Sequence, residues 1–190
     1  RVVISSPDVV RVVQDKVRTS QFLHEHGFAT PTILSAEELS SPRFPLFLKP
    51  RSGSSSVGAH RINTAADLAY YRGISPDSIV QEFIGGVEYT VDVFADFAGR
   101  ARCAVPRRRH EVRGGEVSKG ETVYHRRMME EHCRLVEALG DCQGMITVQC
   151  FLTPDNRIVF IEINPRFGGG APLSIRDGAD SPRWLLELLT

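Results

Sequence analysis

The chain has 190 residues, 42% of them apolar and 24% charged, an ordinary balance for one globular core or one core with a fragment. Its 23 basic and 23 acidic residues cancel, which leaves no electrostatic case for nucleic acid or an anionic membrane surface as partner. No run approaches the roughly 18 apolar residues of a membrane helix and none reads as a signal peptide, so a cytoplasmic protein is expected. Among the basic residues only Lys16, Lys49 and Lys119 are lysine, which makes the place of each worth finding. Cys103, Cys133, Cys142 and Cys150 have no metal-ligand spacing and read as free thiols.

In chain order, residues 9–13 and 17–26 read as helix, stopped by Gly27. Residues 46–48, between Pro45 and Pro50, read as a buried strand, and the Gly/Ser-rich stretch 51–58 as a flexible loop. A strand at 60–62, a short helix at 65–71 and a strand at 78–83 follow. Residues 89–94 and 101–105 alternate like an antiparallel pair around Gly99. Residues 107–120 are basic and poorly periodic and read as a mobile loop, and residues 121–139 as the longest helix, ended by Gly140. Strands at 145–152 and 158–164 flank a turn, and Gly168-Gly169-Gly170 precedes a short helical end. This mixed order with several hairpins predicts an α+β fold rather than a doubly wound parallel sheet.

Gly53 and Gly58 have the glycine spacing of a P-loop, but Ala59-His60 stand where Lys-Ser/Thr belongs, and a strand follows where a helix should. A hairpin loop of small residues can still fold its backbone N–H groups over phosphates, and Lys49 just before it favours an anion site over a plain surface turn. The sharper signal is Phe160-Ile161-Glu162-Ile163-Asn164-Pro165-Arg166. Strand alternation puts Glu162 and Asn164 on one face and Ile161 and Ile163 in the core. A carboxylate among apolar neighbours needs a partner, and carboxylate and amide oxygens suit Mg²⁺. Gln149, polar within an apolar run, would stand beside Glu162 if the last two strands pair. Arg166 would then lie near the same phosphates; an ordinary Glu162–Arg166 ion pair is the competing reading. Residues 80–84, followed by Gly85-Gly86, turn sharply from one strand into another, where exposed backbone can read a purine edge and Glu88 can accept from a ribose. Arg107, Arg108 and Arg109 could grip an anionic acceptor or form a solvated basic turn.

Taken together these residues resemble the ATP-grasp superfamily, and within it proteins similar to the large subunit of carbamoyl phosphate synthetase. The most specific piece is Glu162-Ile163-Asn164-Pro165-Arg166-Phe167-Gly168-Gly169-Gly170; Asp15-Lys16, Phe47-Leu48-Lys49-Pro50 with its Ser/Gly loop, and the run from Gln81 to Glu88 fall in the family's order. The resemblance implies two α+β subdomains holding ATP between antiparallel sheets, with a smaller lid-like part at about 31–95 and a larger metal-binding part at about 96–190. It also implies an N-terminal Rossmann-like domain, which this chain is expected to lack, since it opens Arg1-Val2-Val3-Ile4 without an initiator Met.

Carried over residue by residue, the resemblance places Lys16 and Lys49 on the ATP phosphates, with Ser54, Ser55, Ser56 and Gly58 in the covering loop. Glu82, Phe83 and Ile84 would hold adenine and Glu88 the ribose, while Lys119 is a looser match to another phosphate-contacting lysine. Gln149, Glu162 and Asn164 would bind two Mg²⁺ ions, or Mn²⁺ in their place, with Glu162 bridging. Arg166 and Lys49 would serve catalysis, Arg166 by stabilising the transferring phosphoryl group. The implied reaction is phosphorylation of a small-molecule carboxylate to an acyl phosphate, which an amine or other nucleophile attacks. Phe167-Gly168-Gly169-Gly170 stands where carbamoyl phosphate synthetases carry Ser and Arg, which points away from bicarbonate. A bicarbonate or carbamate kinase, and a nucleotide-binding module that needs a partner subunit or its missing domain, are the alternatives; a homodimer is compatible with either.

Overall fold

The computed structural model describes residues 2–53, 56–113 and 116–190. These residues form, in chain order, α1 (Pro7–Val13), α2 (Lys16–Glu25), β1 (Leu46–Pro50), β2 (His60–Ile62), α3 (Ala65–Ile74), β3 (Ser78–Glu82), β4 (Val87–Ala95), β5 (Ala101–Arg113), β6 (Glu116–Thr122), α4 (Arg126–Leu139), β7 (Gly144–Leu152), β8 (Ile158–Asn164), α5 (Ala171–Arg176) and α6 (Ser181–Leu189), with the strands in two antiparallel sheets. Among these described residues no helix is long and apolar enough to cross a membrane.

The smaller sheet has the order β2-β1-β3. Leu46 and Leu48 of β1 alternate inward and pack with Ile62, Val80 and Leu68 of α3. That alternation leaves Phe47 and Lys49 on the opposite face. A capping box of Thr64 and Asp67 starts α3. The larger sheet has the order β6-β5-β4-β7-β8. Tyr89, Val91 and Val93 of β4 pack with Ile146, Val148 and Cys150 of β7, Phe160 and Ile163 of β8, and Met128, Leu135 and Val136 of α4. Val9 of α1, Leu23 of α2 and Phe28 join the same core, so the N-terminal helices belong to the larger sheet.

Two sequence expectations change here. Residues 107–113 and 116–120, expected as part of a mobile loop, are strand: β5 and β6 pair antiparallel from Arg107↔Thr122 to Arg113↔Glu116. Arg107 and Arg109 of β5 face the polar side of the sheet, so apolar alternation does not register it. The helix expected from residue 121 begins at Arg126, where the His125 ring nitrogen accepts from the Met128 N–H, because the preceding residues are spent in β6. β4, which lies within the part expected at about 31–95, pairs along its length with β7 and with β5 of the larger sheet, so the chain passes from one sheet to the other at the joint between β3 and β4. Gly86 marks that joint: a Cβ there would stand 2.6 Å from the Leu152 carbonyl oxygen. All four cysteines are free, as their spacing predicts, with Cys142 and Cys150 fully buried.

Candidate functional site

Because Tyr89, Val91 and Val93 face the core, Glu88, Thr90 and Asp92 face the other way. Strand pairing extends this polar face into two rows across the sheet. Arg107 pairs with Thr90, Thr90 with Gln149, and Gln149 with Glu162; one step along, Asp92 pairs with Thr147 and Thr147 with Asn164. Gln149 thus stands directly opposite Glu162, as the alternation of polar groups in apolar strands predicts. Ile161 departs from expectation. A register shift opposite Gln149/Cys150 marks a bulge in β8, so Phe160 and Ile163 enter the core while Ile161 lines the cleft beside Glu162.

Between the two sheets lies a cleft of about 240 Å³. Its walls carry Phe47 and Lys49 from β1, the joint from Gln81 to Ile84, and Glu88, Gln149 and Glu162 from the larger sheet. Lys49 Nζ reaches across to donate to the Ile161 carbonyl at 3.3 Å. Burial, followed by the neighbouring Lys16 ammonium, lowers the Lys49 pKa to about 8 against the pull of Glu162. Lys16 opens α2 and donates through Nζ to the Gly53 carbonyl at 3.0 Å; burial lowers its pKa as well, opposed by Glu162 and Asp15. Two ammonium groups and one carboxylate therefore share a partly desolvated space.

The Gly/Ser loop is held at its base. Asp15 caps α2 and takes a two-pronged grip on Arg51, at 3.0 and 2.6 Å, while the Lys16 N–H donates to the Arg51 carbonyl. Gly53, Ser56 and Gly58 all have positive φ, the backbone that lets a short loop curl over a ligand. Ser56 lines the cleft; Ser54 and Ser55 lie outside the described residues. Phe83 and Ile84 also line it. Glu82 is more committed: its carboxylate accepts from the Thr32 N–H at 3.0 Å, and its own N–H donates to the Thr32 carbonyl. Lys119 is not brought in. It sits exposed on β6, paired with Glu111 at 2.7 Å and away from the cleft walls.

The side chains that could offer oxygen to a divalent cation are Gln149, Glu162 and Asn164, which meet at the wall of one pocket. The Asn164 side-chain NH₂ donates to Glu162 at 2.8 Å, so its amide oxygen is the atom it can offer to a cation. Among the described residues no ion pair joins Glu162 to Arg166, and no group of three His, Cys, Asp or Glu could hold a metal. Hard oxygen donors with a single carboxylate fit Mg²⁺ that completes its shell from phosphates and water.

Next to the cleft is a smaller polar pocket of about 80 Å³, walled by Arg107, Arg109, Gln149, Glu162, Asn164, Arg166 and the glycine run 168–170. Its floor is a buried network. Arg107 donates to Asp92 at 2.8 and 3.1 Å, their side chains only 3% and 1% exposed. Asp92 also accepts from Ser174 at 2.6 Å and from Thr147 at 3.2 Å. Arg107 leaves no room beside Gly170, where a Cβ would fall 2.0 Å from Nη1. Arg109 pairs with Glu88, and Arg108 stands 3.8 Å from Glu121. The arginine triplet is thus neither a set of bare cations nor a solvated turn, since each member has a carboxylate partner. Arg166 is exposed at the pocket mouth, its guanidinium donating to the Phe167 carbonyl. Asp92 was missed by sequence reasoning, although a carboxylate between Val91 and Val93 is the same signal that exposes Glu162.

The ATP-grasp domain family matches residues 13–170. D-alanine--D-alanine ligase A of Brucella suis biovar 1 is 29% identical over 183 residues, covering 79% of this chain and 51% of that protein. The biotin carboxylase domain of Hydrogenobacter thermophilus 2-oxoglutarate carboxylase, solved with MgADP, ADP and bicarbonate, superposes with a TM-score of 0.75 at 17% identity, over 89% of this chain and 43% of that one. N5-carboxyaminoimidazole ribonucleotide synthetase from Thermotoga maritima gives a TM-score of 0.70 at 22% identity, over 91% and 47%. The chain spans about half the length of that curated ligase and less than half of either structure.

Proposed function

The chain belongs to the ATP-grasp domain family, and from that premise we propose that it binds MgATP between its two sheets and phosphorylates a small carboxylate, giving ADP and an acyl phosphate. An amine or related nucleophile then attacks the acyl carbon and phosphate leaves, forming a C–N bond. The observation that carries this reading is the row Gln149–Glu162 with Asn164 beside it, facing Lys16 and Lys49 across one cleft. The similarity to D-alanine--D-alanine ligase A supports a carboxylate–amine ligase over other phosphoryl transfers.

In this reading the joint from Glu82 to Ile84 holds adenine by its backbone and Glu88 accepts from the ribose hydroxyls. Lys49 and Lys16 meet the triphosphate as point charges, and the loop 51–58 covers it, excluding water that would hydrolyse an acyl phosphate. Gln149, Glu162 and Asn164 would hold the Mg²⁺, one ion or two, with Mn²⁺ able to take its place. When bound, the metal neutralises developing charge on the β- and γ-phosphates. Arg166, at the mouth of the polar pocket, stabilises the transferring group and the acyl phosphate.

A thermal-shift titration with MgATP tests the site. The expected result is a raised melting temperature that Glu162→Ala abolishes, and an unshifted wild-type protein would refute nucleotide binding. ADP release in a screen of small carboxylates and amines, D-alanine included, tests the reaction.

A further inference from the structure

The nucleotide cleft and the polar pocket share one ion pair. Glu88 lines the cleft, Arg109 lines the pocket, and the two side chains, 27% and 5% exposed, are bonded to each other. Their meeting follows from register: Tyr89 pairs with Arg108, so Glu88 and Arg109 occupy the next positions on adjacent strands. Burial raises the Glu88 pKa, with Arg109 opposing the rise and Glu162 adding to it.

We infer that this pair couples the two cavities: a nucleotide whose ribose takes up the Glu88 carboxylate turns Arg109 toward the polar pocket, where Arg109 and Arg166 together hold a small oxyanion of the carboxylate or phosphate class. The inference rests on the reading that the cleft binds a nucleotide. Charge supports it. Before nucleotide arrives, the three arginines of the pocket, Arg107, Arg109 and Arg166, face three carboxylates, Asp92, Glu88 and Glu162, so an entering anion meets no excess positive charge. Arg107 cannot be the cation that changes. Its partner Asp92 is buried and further bound by Ser174 and Thr147, and it lines neither the cleft nor the polar pocket. Glu88 is different, because its carboxylate is on a cavity wall where two hydroxyls can compete for its oxygens. The pocket, at about 80 Å³, accommodates one oxyanion group rather than a whole acceptor molecule. An anion held there must by linkage tighten the nucleotide by the factor with which the nucleotide tightens it.

Calorimetric titration of the full chain tests this, with Mg²⁺ and adenosine β,γ-methylene triphosphate so that the γ-phosphate position is filled, and inorganic phosphate as the probe at constant ionic strength. Phosphate is expected to bind at least about fivefold tighter with nucleotide present, and nucleotide to gain the same factor from phosphate. In Glu88→Gln, phosphate should bind the nucleotide-free protein about as well as it binds the wild-type complex, and the coupling should fall toward one. Arg109→Gln should lose phosphate affinity in both states, with nucleotide binding on the same sample showing that the protein is folded. Phosphate that binds equally with and without nucleotide, or not at all, overturns the coupling while leaving nucleotide binding in place, as does full coupling retained in Glu88→Gln. A wild-type protein that binds no nucleotide overturns the functional reading itself.

Discussion

Arg107→Ala removes one half of a charge pair that the fold has closed off from water. Asp92 is left 1% exposed with only the Thr147 and Ser174 hydroxyls, two neutral donors for a full negative charge. Breaking a buried pair from one side costs about 3–5 kcal/mol, because the surviving charge stays desolvated. For a chain of this size each kcal/mol moves the melting temperature by roughly 2–4 °C, so a drop of about 6–20 °C is expected. Asp92→Asn keeps the volume and the hydroxyl partners yet strands the guanidinium, and should lose a comparable amount. Replacing both partners together, Asp92→Leu with Arg107→Met, removes the stranded charge and should recover most of the loss. Urea unfolding with midpoints compared at equal m-value is the assay. A loss under about 1 kcal/mol for Arg107→Ala, or a double variant worse than the sum of the singles, would refute the claim that a closed ion pair holds this floor together.

The depressed Lys49 pKa makes nucleotide affinity pH-dependent. A triphosphate favours the ammonium, so affinity should be level below about pH 8 and fall above it, by up to tenfold per unit; equal dissociation constants at pH 7 and 9 would contradict this. The same shift acts on the empty protein with the opposite sense. Between pH 8 and 10.5 the unfolded chain binds the proton that the folded one has released, so this lysine's contribution to stability rises with pH across that window. Gly170→Ala should destabilise by about 1–3 kcal/mol, since its Cβ would displace a guanidinium pinned by Asp92; unfolding midpoints unchanged from wild type would show that Arg107 can move aside. Lys119→Ala should change nucleotide affinity less than about twofold and stability by under about 1 kcal/mol, because its exposed pair with Glu111 lies off the cleft; a tenfold loss of affinity would return it to the site.

The site was more legible in the sequence than the sheet that carries it. Glu162, Asn164 and Gln149 betray themselves as polar groups in apolar strands, and Lys49 by its place between a buried strand and a Gly/Ser loop. Asp92 carries the same signature but lacks a motif around it. The hairpin of β5 and β6 is opaque for a physical reason: its polar-face arginines are neutralised by Glu88 and Asp92, 15 to 21 residues earlier in the chain. Pattern counting sees charge and reads loop, whereas pairing makes those charges interior. The joint at Gly85-Gly86 was visible as a sharp turn, but which sheet β4 joins depends on β7, more than 50 residues on.

The bulge at Ile161 gives β8 two phases. Before the bulge the even-numbered Ile158 and Phe160 fill the core; after it the odd-numbered Ile163 does. The step between them is made by backbone, so substitutions in the core half leave the cleft half in phase, and the reverse holds too. The carbonyl that Lys49 bonds is at that step, an atom that every amino acid supplies. One sheet's ammonium is thereby indexed to the other sheet's main chain, and the strand's interior can be repacked without retuning the spacing between Lys49 and Glu162.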